Sequence, residues 1–285
     1  IQADCALQIQ GGTQRDPNKN AKHSFRVSFK GDYGPGRLDF PVFPDSPVTS
    51  FNTLVLDGGI NMWWHYVGGA TPADQRFRAQ CVRDQFASDL MIALGQPSCY
   101  GRFFNVYLNG LYWGLHYVHE RPDEDFAASW LGGSPADFDV LRITTTGLEI
   151  IAGNADAWNA ALALSNTGLT NNTQYEALQQ YVDVDNLIDY MIVNHWIGNE
   201  DWPHHNWYVL RKRAPGEGFK FISWDAEHIL KTTSVNRTTA NNSGTPAQIY
   251  WALINNQEFR LRYADHLQQH FSPGGLFYTD PDPAA

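Results

Sequence analysis

Gly198-Asn199-Glu200-Asp201-Trp202-Pro203-His204-His205-Asn206-Trp207-Tyr208 is the stretch that decides how this chain is read. Before it, residues 186–197 are apolar nearly all round (Leu187, Ile188, Tyr190, Met191, Val193, Trp196, Ile197), the pattern of a helix buried on every side. After it, two short apolar runs, 207–211 and 219–223, flank a charged loop and predict a hairpin. The second run ends at Trp224-Asp225-Ala226-Glu227. The order is therefore a buried helix, a loop with an aspartate and an asparagine five apart, a hairpin, and a second aspartate.

Towards the N-terminus, residues 6–10 and 25–30 alternate apolar and polar side chains and predict two paired strands. Gly11-Gly12-Thr13-Gln14-Arg15 and a polar stretch with Lys19 and Lys22 lie between them. Residues 53–57 predict another strand, and residues 58–70 a loop rich in Gly and Trp. Thr71-Pro72-Ala73-Asp74 reads as a helix start, with a capping hydroxyl, a proline suited to the first turn and a carboxylate that reaches back. One helix with the apolar stripe Phe77, Cys81, Phe86, Leu90 and Leu94 is expected to run from there to Gly95. Residues 102–108 and 111–119 flank Asn109-Gly110, a strong hairpin signal because both turn positions need positive φ. Residues 123–181 mix helical stretches with Gly- and Asn-rich loops. The expected fold is α+β, strand-rich over residues 1–119 and helix-rich over 120–285, forming one unit.

Composition narrows the function classes. With 43% hydrophobic and 18% charged residues the chain is not disordered. A net charge of −10 argues against a nucleic-acid backbone as partner, while a local pocket for a small phosphate ligand and a basic target both stay compatible. No run approaches the about 18 apolar residues of a membrane span. Cys5, Cys81 and Cys99 have no metal-ligand spacing, which leaves either one disulfide or none. His195, His204, His205 and His228 argue weakly for zinc, since the adjacent His204 and His205 do not easily converge on one ion. No signal peptide is present. The abrupt start at Ile1 and the Pro/Asp/Ala tail fit a piece of a longer protein, so the localisation stays open, with an extracellular or cell-surface setting among the choices.

Phosphoryl transfer needs a carboxylate to orient the attacking hydroxyl and hard oxygen ligands for a metal that bridges the phosphates. Protein kinases carry an Asp and an Asn five apart on a loop after a buried helix, and a metal-binding Asp one short hairpin later. Asp201, Asn206 and Asp225 reproduce that spacing in that context. Plainer roles exist for each candidate. Asp201 could cap a turn and Asn206 could close a loop through the backbone. Glu227 could be exposed or stand outside the ligand set. Lys22 could belong to a solvated basic loop with Arg15, Lys19 and His23, and Glu120 to a surface ion pair with Arg121.

Further matches extend along the chain: Lys22-His23-Ser24-Phe25-Arg26, Arg83-Asp84, Leu108-Asn109-Gly110-Leu111-Tyr112-Trp113-Gly114-Leu115, Glu120, Gly198-Asn199-Glu200-Asp201 with Asn206, Trp224-Asp225-Ala226-Glu227, and Phe259-Arg260-Leu261-Arg262-Tyr263-Ala264-Asp265. In these the chain resembles the CotH-type (spore coat protein H) atypical protein kinase family over almost its whole length. The resemblance implies a divergent protein-kinase-like fold of two lobes. It also implies transfer of the γ-phosphoryl group of ATP to protein serine or threonine, with Mg2+ or Mn2+. By the same resemblance Asp201 falls at the catalytic aspartate, Asp225 at the metal-binding aspartate and Asn206 at the catalytic-loop asparagine that serves metal and nucleotide. Lys22 falls at the phosphate-contacting lysine and Glu120 at the hinge that meets the nucleotide. The turn Gln10-Gly11-Gly12-Thr13-Gln14-Arg15 departs from the family's usual Arg-Gly-Asn-Ser-Ser-Arg, and the first helix has Asp84 and Asp89 but no glutamate to pair with Lys22. Three functions fit: an active kinase for an unidentified protein substrate, a non-catalytic or weakly active nucleotide-binding surface or assembly module, and a different phosphoryl or nucleotidyl transferase on the same scaffold.

Overall fold

Alternation in the first part of the chain builds an antiparallel sheet. Its strands are β1 (Ala6–Gln10), β2 (Ser24–Ser28), β5 (Thr53–Asp57), β6 (Gly101–Leu108) and β7 (Leu111–His119), in the order β1-β2-β5-β7-β6. The short strands β3 (Leu38–Asp39) and β4 (Ser50–Phe51) pair separately. The Asn109-Gly110 turn has φ of 50° and 80°, as the hairpin signal requires. The computed structural model describes residues 1–12, 15–61, 63–67 and 72–280, without the side chains of residues 72–74.

The single helix expected from residue 71 to Gly95 is two helices, α1 (Pro72–Phe77) and α2 (Arg83–Ala93). Phe77, assigned to the apolar stripe, is 91% exposed. The interruption is held by Arg83, which is buried rather than exposed. Its guanidinium donates back to the Arg78 carbonyl at 3.1 Å and lies 3.4 Å from Gln80 Oε1. Leu90 is buried in the core, with Phe86 and Leu94 packed against it, so the stripe holds only from α2 onwards. The proposed cap by Thr71 and Asp74 lies outside the described side chains, as do Thr13 and Gln14 of the first turn.

The second part carries α3 (Glu124–Leu131), β8 (Phe138–Thr144), β9 (Gly147–Ala152), α4 (Asp156–Ser165), α5 (Asn172–Leu178), α6 (Val184–Trp196), β10 (Trp207–Lys212), β11 (Lys220–Ser223), α7 (Pro246–Leu253) and α8 (Gln257–Phe271). Here the sequence predicted one small hairpin. The structure has a four-stranded antiparallel sheet in the order β11-β10-β8-β9. Both of its faces are covered. Trp207, Val209, Leu141, Phe219 and Phe221 join the core with Trp158 of α4 and Leu187 and Tyr190 of α6. Tyr208, Leu210, Phe138, Val140 and Ile222 join Phe126 and Ala127 of α3 on the other side. Period-two alternation thus divides one uninterrupted apolar run between two cores. A third cluster, including Phe29, Phe43, Phe51, Leu54 and Val118, lies against the first sheet. Helix α2 contributes Ala87, Leu90 and Met91 to the core of α4, α6 and α7.

Cys5, Cys81 and Cys99 are all free thiols. Among the described residues, no helix is long and apolar enough to cross a membrane.

The end of β5 sits directly on the entrance to β2. Gly58 N donates to Ser24 Oγ at 2.8 Å, and Ser24 Oγ donates to Asp57 Oδ1 at 2.6 Å. A Cβ on Gly58 would lie 2.4 Å from the Lys22 carbonyl oxygen and 3.0 Å from that of His23. Since these neighbours are backbone, Gly58→Ala should destabilise the protein by about 1–3 kcal/mol, the range for overpacking. Gly31→Ala, where no atom lies within 4 Å of the added Cβ, should change stability by less than about 0.5 kcal/mol. Thermal melts by circular dichroism check the pair, and equal melting temperatures would refute the close approach.

Candidate active site

Two buried tryptophans shape the loop after α6. The Trp202 indole N–H donates to the Tyr190 hydroxyl at 2.7 Å, and the Trp207 indole N–H to the Pro203 carbonyl at 3.0 Å. Gly198, at φ 61°, turns the chain out of the helix, and Asn199 Nδ2 donates to Asn194 Oδ1 at 2.9 Å. Glu200 N donates to the His228 carbonyl and Leu230 N to that of Ile197, which fastens this loop to the segment after β11. Asp201 opens the loop and Asn206 closes it.

Asn206 stands at φ 64° and its amide makes the central contact. Nδ2 donates to Asp201 Oδ2 at 3.1 Å and to the Asp225 carbonyl at 3.2 Å. Trp207 pairs with Ser223 across β10 and β11, so Asn206 and Asp225 emerge side by side at one end of the hairpin. Asp225 also has a left-handed backbone, at φ 53°. Non-glycine residues in that region are uncommon and cluster where function constrains the chain. The Asp201 side chain is 36% exposed and has His204 Nε2 at 3.4 Å from Oδ1.

Acidic groups gather around Asp225. Asp84 on α2 accepts from Ala226 N at 2.7 Å. Glu227 is 5% exposed, and its carboxyl lies against that of Asp225 and the Asn61 amide. Burial, then Asp84, Asp57 and Asp201, push Asp225 up to about 8. Burial, then Asp225, Asp57 and Asp84, push Glu227 well above the usual range, with the Asn61 amide offsetting part of the rise. Burial raises Asp84 as well, with His119 and the Ala226 N–H opposing it and Asp57 adding to it. Crowded buried carboxyls of this kind favour a cation, and their hard oxygen donors suit Mg2+ or Mn2+. They do not close into a cage. Among the described residues, the one trio of His, Cys, Asp or Glu ligand atoms within 4.8 Å of one another is Asp189, His266 and His270. An open acidic set matches magnesium's habit of taking one or two carboxylates and completing its shell with water and phosphate.

Lys22 is partly buried rather than in a solvated loop. Its ammonium donates to the Leu115 carbonyl and lies 4.6 Å from the centroid of the Trp63 ring. Burial lowers its pKa, while Asp57 and Cys81 hold it up. Asp84 and Asp89 are engaged elsewhere, Asp84 with Ala226 N and Asp89 with Gln85 Nε2, so the carboxylate that supports Lys22 is Asp57 on β5. Glu120 is buried and forms no surface ion pair. Its Oε2 accepts from Tyr100 N at 2.8 Å, and burial raises it to about 8. The structure therefore joins Asp201, Asn206 and Asp225 directly, links Lys22 to them electrostatically through Asp57, and turns the Glu120 carboxyl towards Tyr100.

Asp57 is the residue that sequence reasoning missed, and Glu227, expected to be exposed or outside the ligand set, is buried beside Asp225. Glu227 was signalled by the stretch Trp224-Asp225-Ala226-Glu227, and Asp57 by nothing beyond closing a predicted strand.

The family model described as CotH kinase protein matches residues 79–273. That span takes in Asp84, Glu120, Asp201, Asn206, Asp225 and Glu227, and leaves Lys22 and Asp57 outside it. No curated protein matches the chain.

The raised carboxyls make stability depend on pH. An unfolded aspartate titrates near 3.9, whereas Asp225 in the fold titrates at about 8. The fold thus binds the proton more tightly. This contribution is complete below the unfolded value and is lost as pH rises through about 8. In chelator, the melting temperature should fall between pH 5 and 8.5, and Asp225→Asn should make that fall shallower. An equally steep fall in Asp225→Asn would refute the assigned crowding.

Proposed function

We propose that this chain, which belongs to the CotH kinase family, transfers the γ-phosphoryl group of ATP to serine or threonine of a protein. The observation that carries the reading is the Asn206 amide, which bonds the Asp201 carboxylate and the Asp225 carbonyl at once. One side chain thereby fixes the spacing between the group that would receive the acceptor's proton and the group that would hold the metal.

In this reading the sheet-bearing part, residues 1–119, and the remainder, 120–285, act as the two lobes of a kinase-like unit, and ATP lies between them. Asp225 and Asn206 hold Mg2+ or Mn2+, with Glu227 available as a further anionic oxygen. The bound ion supplies charge neutralisation at the phosphates. Asn206 holds Asp201 Oδ2, which leaves Oδ1, beside His204, to orient the acceptor hydroxyl. Lys22 contacts the phosphates and is kept charged by Asp57. Glu120 marks the boundary of the two parts, where its carboxyl secures Tyr100.

One observation favours a second reading, a nucleotide-binding module with little or no transfer. The Lys22 ammonium already donates to the Leu115 carbonyl and lies over Trp63, which leaves only part of its donor capacity for phosphate. Incubation with labelled ATP separates the readings. Label from the γ-phosphate on protein supports the kinase, absence of label supports the module, and label from the α-phosphate supports nucleotidyl transfer.

Two substitutions test the roles. Asp201→Asn should keep the melting temperature and the affinity for ATP with magnesium while lowering autophosphorylation by about 10²–10⁴-fold, the usual contribution of a positioned base. Undiminished transfer would remove Asp201 from the chemistry. Asp225→Ala should abolish the magnesium-dependent thermal shift given by ATP, because an amide at 206 cannot replace the lost anionic oxygen. An unchanged shift would refute the metal role.

A further inference from the structure

Helices α6 and α8 meet through a polar seam. Asp185 and Asp189 are four apart on α6, and Arg262, His266 and His270 follow at the same interval on α8, so each set lines one helix face. Arg262 grips Asp185 with two nitrogens, Nη2 to Oδ2 at 2.6 Å and Nε to Oδ1. His266 Nδ1 and His270 Nε2 converge on a single atom, Asp189 Oδ1, at 2.7 and 2.9 Å. The three side chains are 17%, 7% and 4% exposed for His266, His270 and Asp189.

We propose that Asp189, His266 and His270 form a binding site for a divalent transition ion, zinc by ligand type, that ties α8 to α6. Two imidazoles four apart on one helix, with a carboxylate from a second helix, make a three-ligand set that zinc accepts, with water in the fourth position. All three ligand atoms already lie within 4.8 Å of one another. Tetrahedral ligands at about 2.0–2.1 Å from zinc are about 3.3 Å apart, so the two N–O distances need open by only about half an ångström.

The surroundings carry the argument further. The other ring nitrogen of His266, Nε2, lies 3.2 Å from Asp185 Oδ1, the carboxylate that Arg262 holds in place. The second oxygen of Asp189 accepts from Gln96 Nε2 at 2.7 Å, and Gln96 Oε1 in turn accepts from Asn186 Nδ2 at 2.9 Å. A carboxylate behind a histidine and an amide behind a ligating carboxylate are the outer contacts that orient metal ligands. Without an ion the seam is a hydrogen-bond network in which His266 Nδ1 and His270 Nε2 each donate a proton to Asp189. With the ion those same nitrogens are deprotonated and face the metal. The inference does not depend on the kinase reading, since none of these residues belongs to the Asp201–Asn206–Asp225 group.

Metal binding to the full chain decides it. Protein freed of metal by chelator is titrated with Co2+ and then Zn2+. The expected result is one cobalt per chain that is lost in His266→Gln and is separate from any ion held at Asp225, with the strong visible absorption of four-coordinate cobalt, displacement by zinc and a higher melting temperature in zinc. His266→Gln and His270→Gln should lose the bound ion, and Asp185→Asn should weaken zinc affinity by about 10–100-fold. If His270→Gln fails to fold, the less buried His266 carries the test. Absence of stoichiometric zinc in the wild type would overturn the proposal, as would zinc binding of wild-type strength in His266→Gln and Asp185→Asn.

Discussion

Trp207 lies opposite Ser223 in the β10–β11 pair, and the candidate active site depends on that register. A slip of one residue would exchange the faces of every side chain in β10. Because both faces are buried, hydrophobicity alone does not select the pairing. Polar ties to the start of α6 do. Phe221 N donates to Asn186 Oδ1, Asp183 N to the Phe219 carbonyl, and Phe219 N to the Tyr181 carbonyl. These bonds hold β11 against the N-terminal end of α6. The same helix, at its other end, delivers Asp201. Helix and hairpin thus form a closed frame, and Asn206 spans its open corner.

Within that frame the carboxyls are placed against their own electrostatic preference. Asp57, Asp84, Asp225 and Glu227 come from a sheet strand, a helix and the segment after a hairpin, and burial and mutual repulsion raise Asp84, Asp225 and Glu227. Folding the chain without a cation leaves Asp84, Asp225 and Glu227 raised, a cost the rest of the structure offsets through its cores. Regions that break local rules for stability are where function is expected. Asn206 and Asp225 both stand at positive φ without being glycine, as Asn109, Leu169 and Leu230 do elsewhere.

Local signals were legible in the sequence and distant ones were not. Asn109-Gly110, the alternation of residues 6–10 and the buried character of α6 are properties of neighbouring residues, and each element formed where it was read. The spacing of Asp201, Asn206 and Asp225 was legible because one helix and one hairpin fix it. Hairpin β8–β9 escaped because one buried position of β8 is Asp139, whose burial depends on the distant Arg211 and Arg213. The break between α1 and α2 depends on Arg83 folding back on Arg78, and nothing in the apolar stripe records it. Asp57 and Glu227 acquire meaning only once β5 and the end of β11 face one another. His266 and His270 had a readable interval of four, but their partner Asp189 lies 77 residues earlier than His266.

Helix α2 precedes β6 in the chain, yet its apolar face belongs to the core of α4, α6 and α7, and Asp84 is bonded to Ala226 N. The same helix is also fastened to the five-stranded sheet, where the Tyr117 hydroxyl donates to Gln85 Oε1 at 2.6 Å, so α2 works as a clasp that couples any displacement of the sheet to the core beneath the acidic cluster.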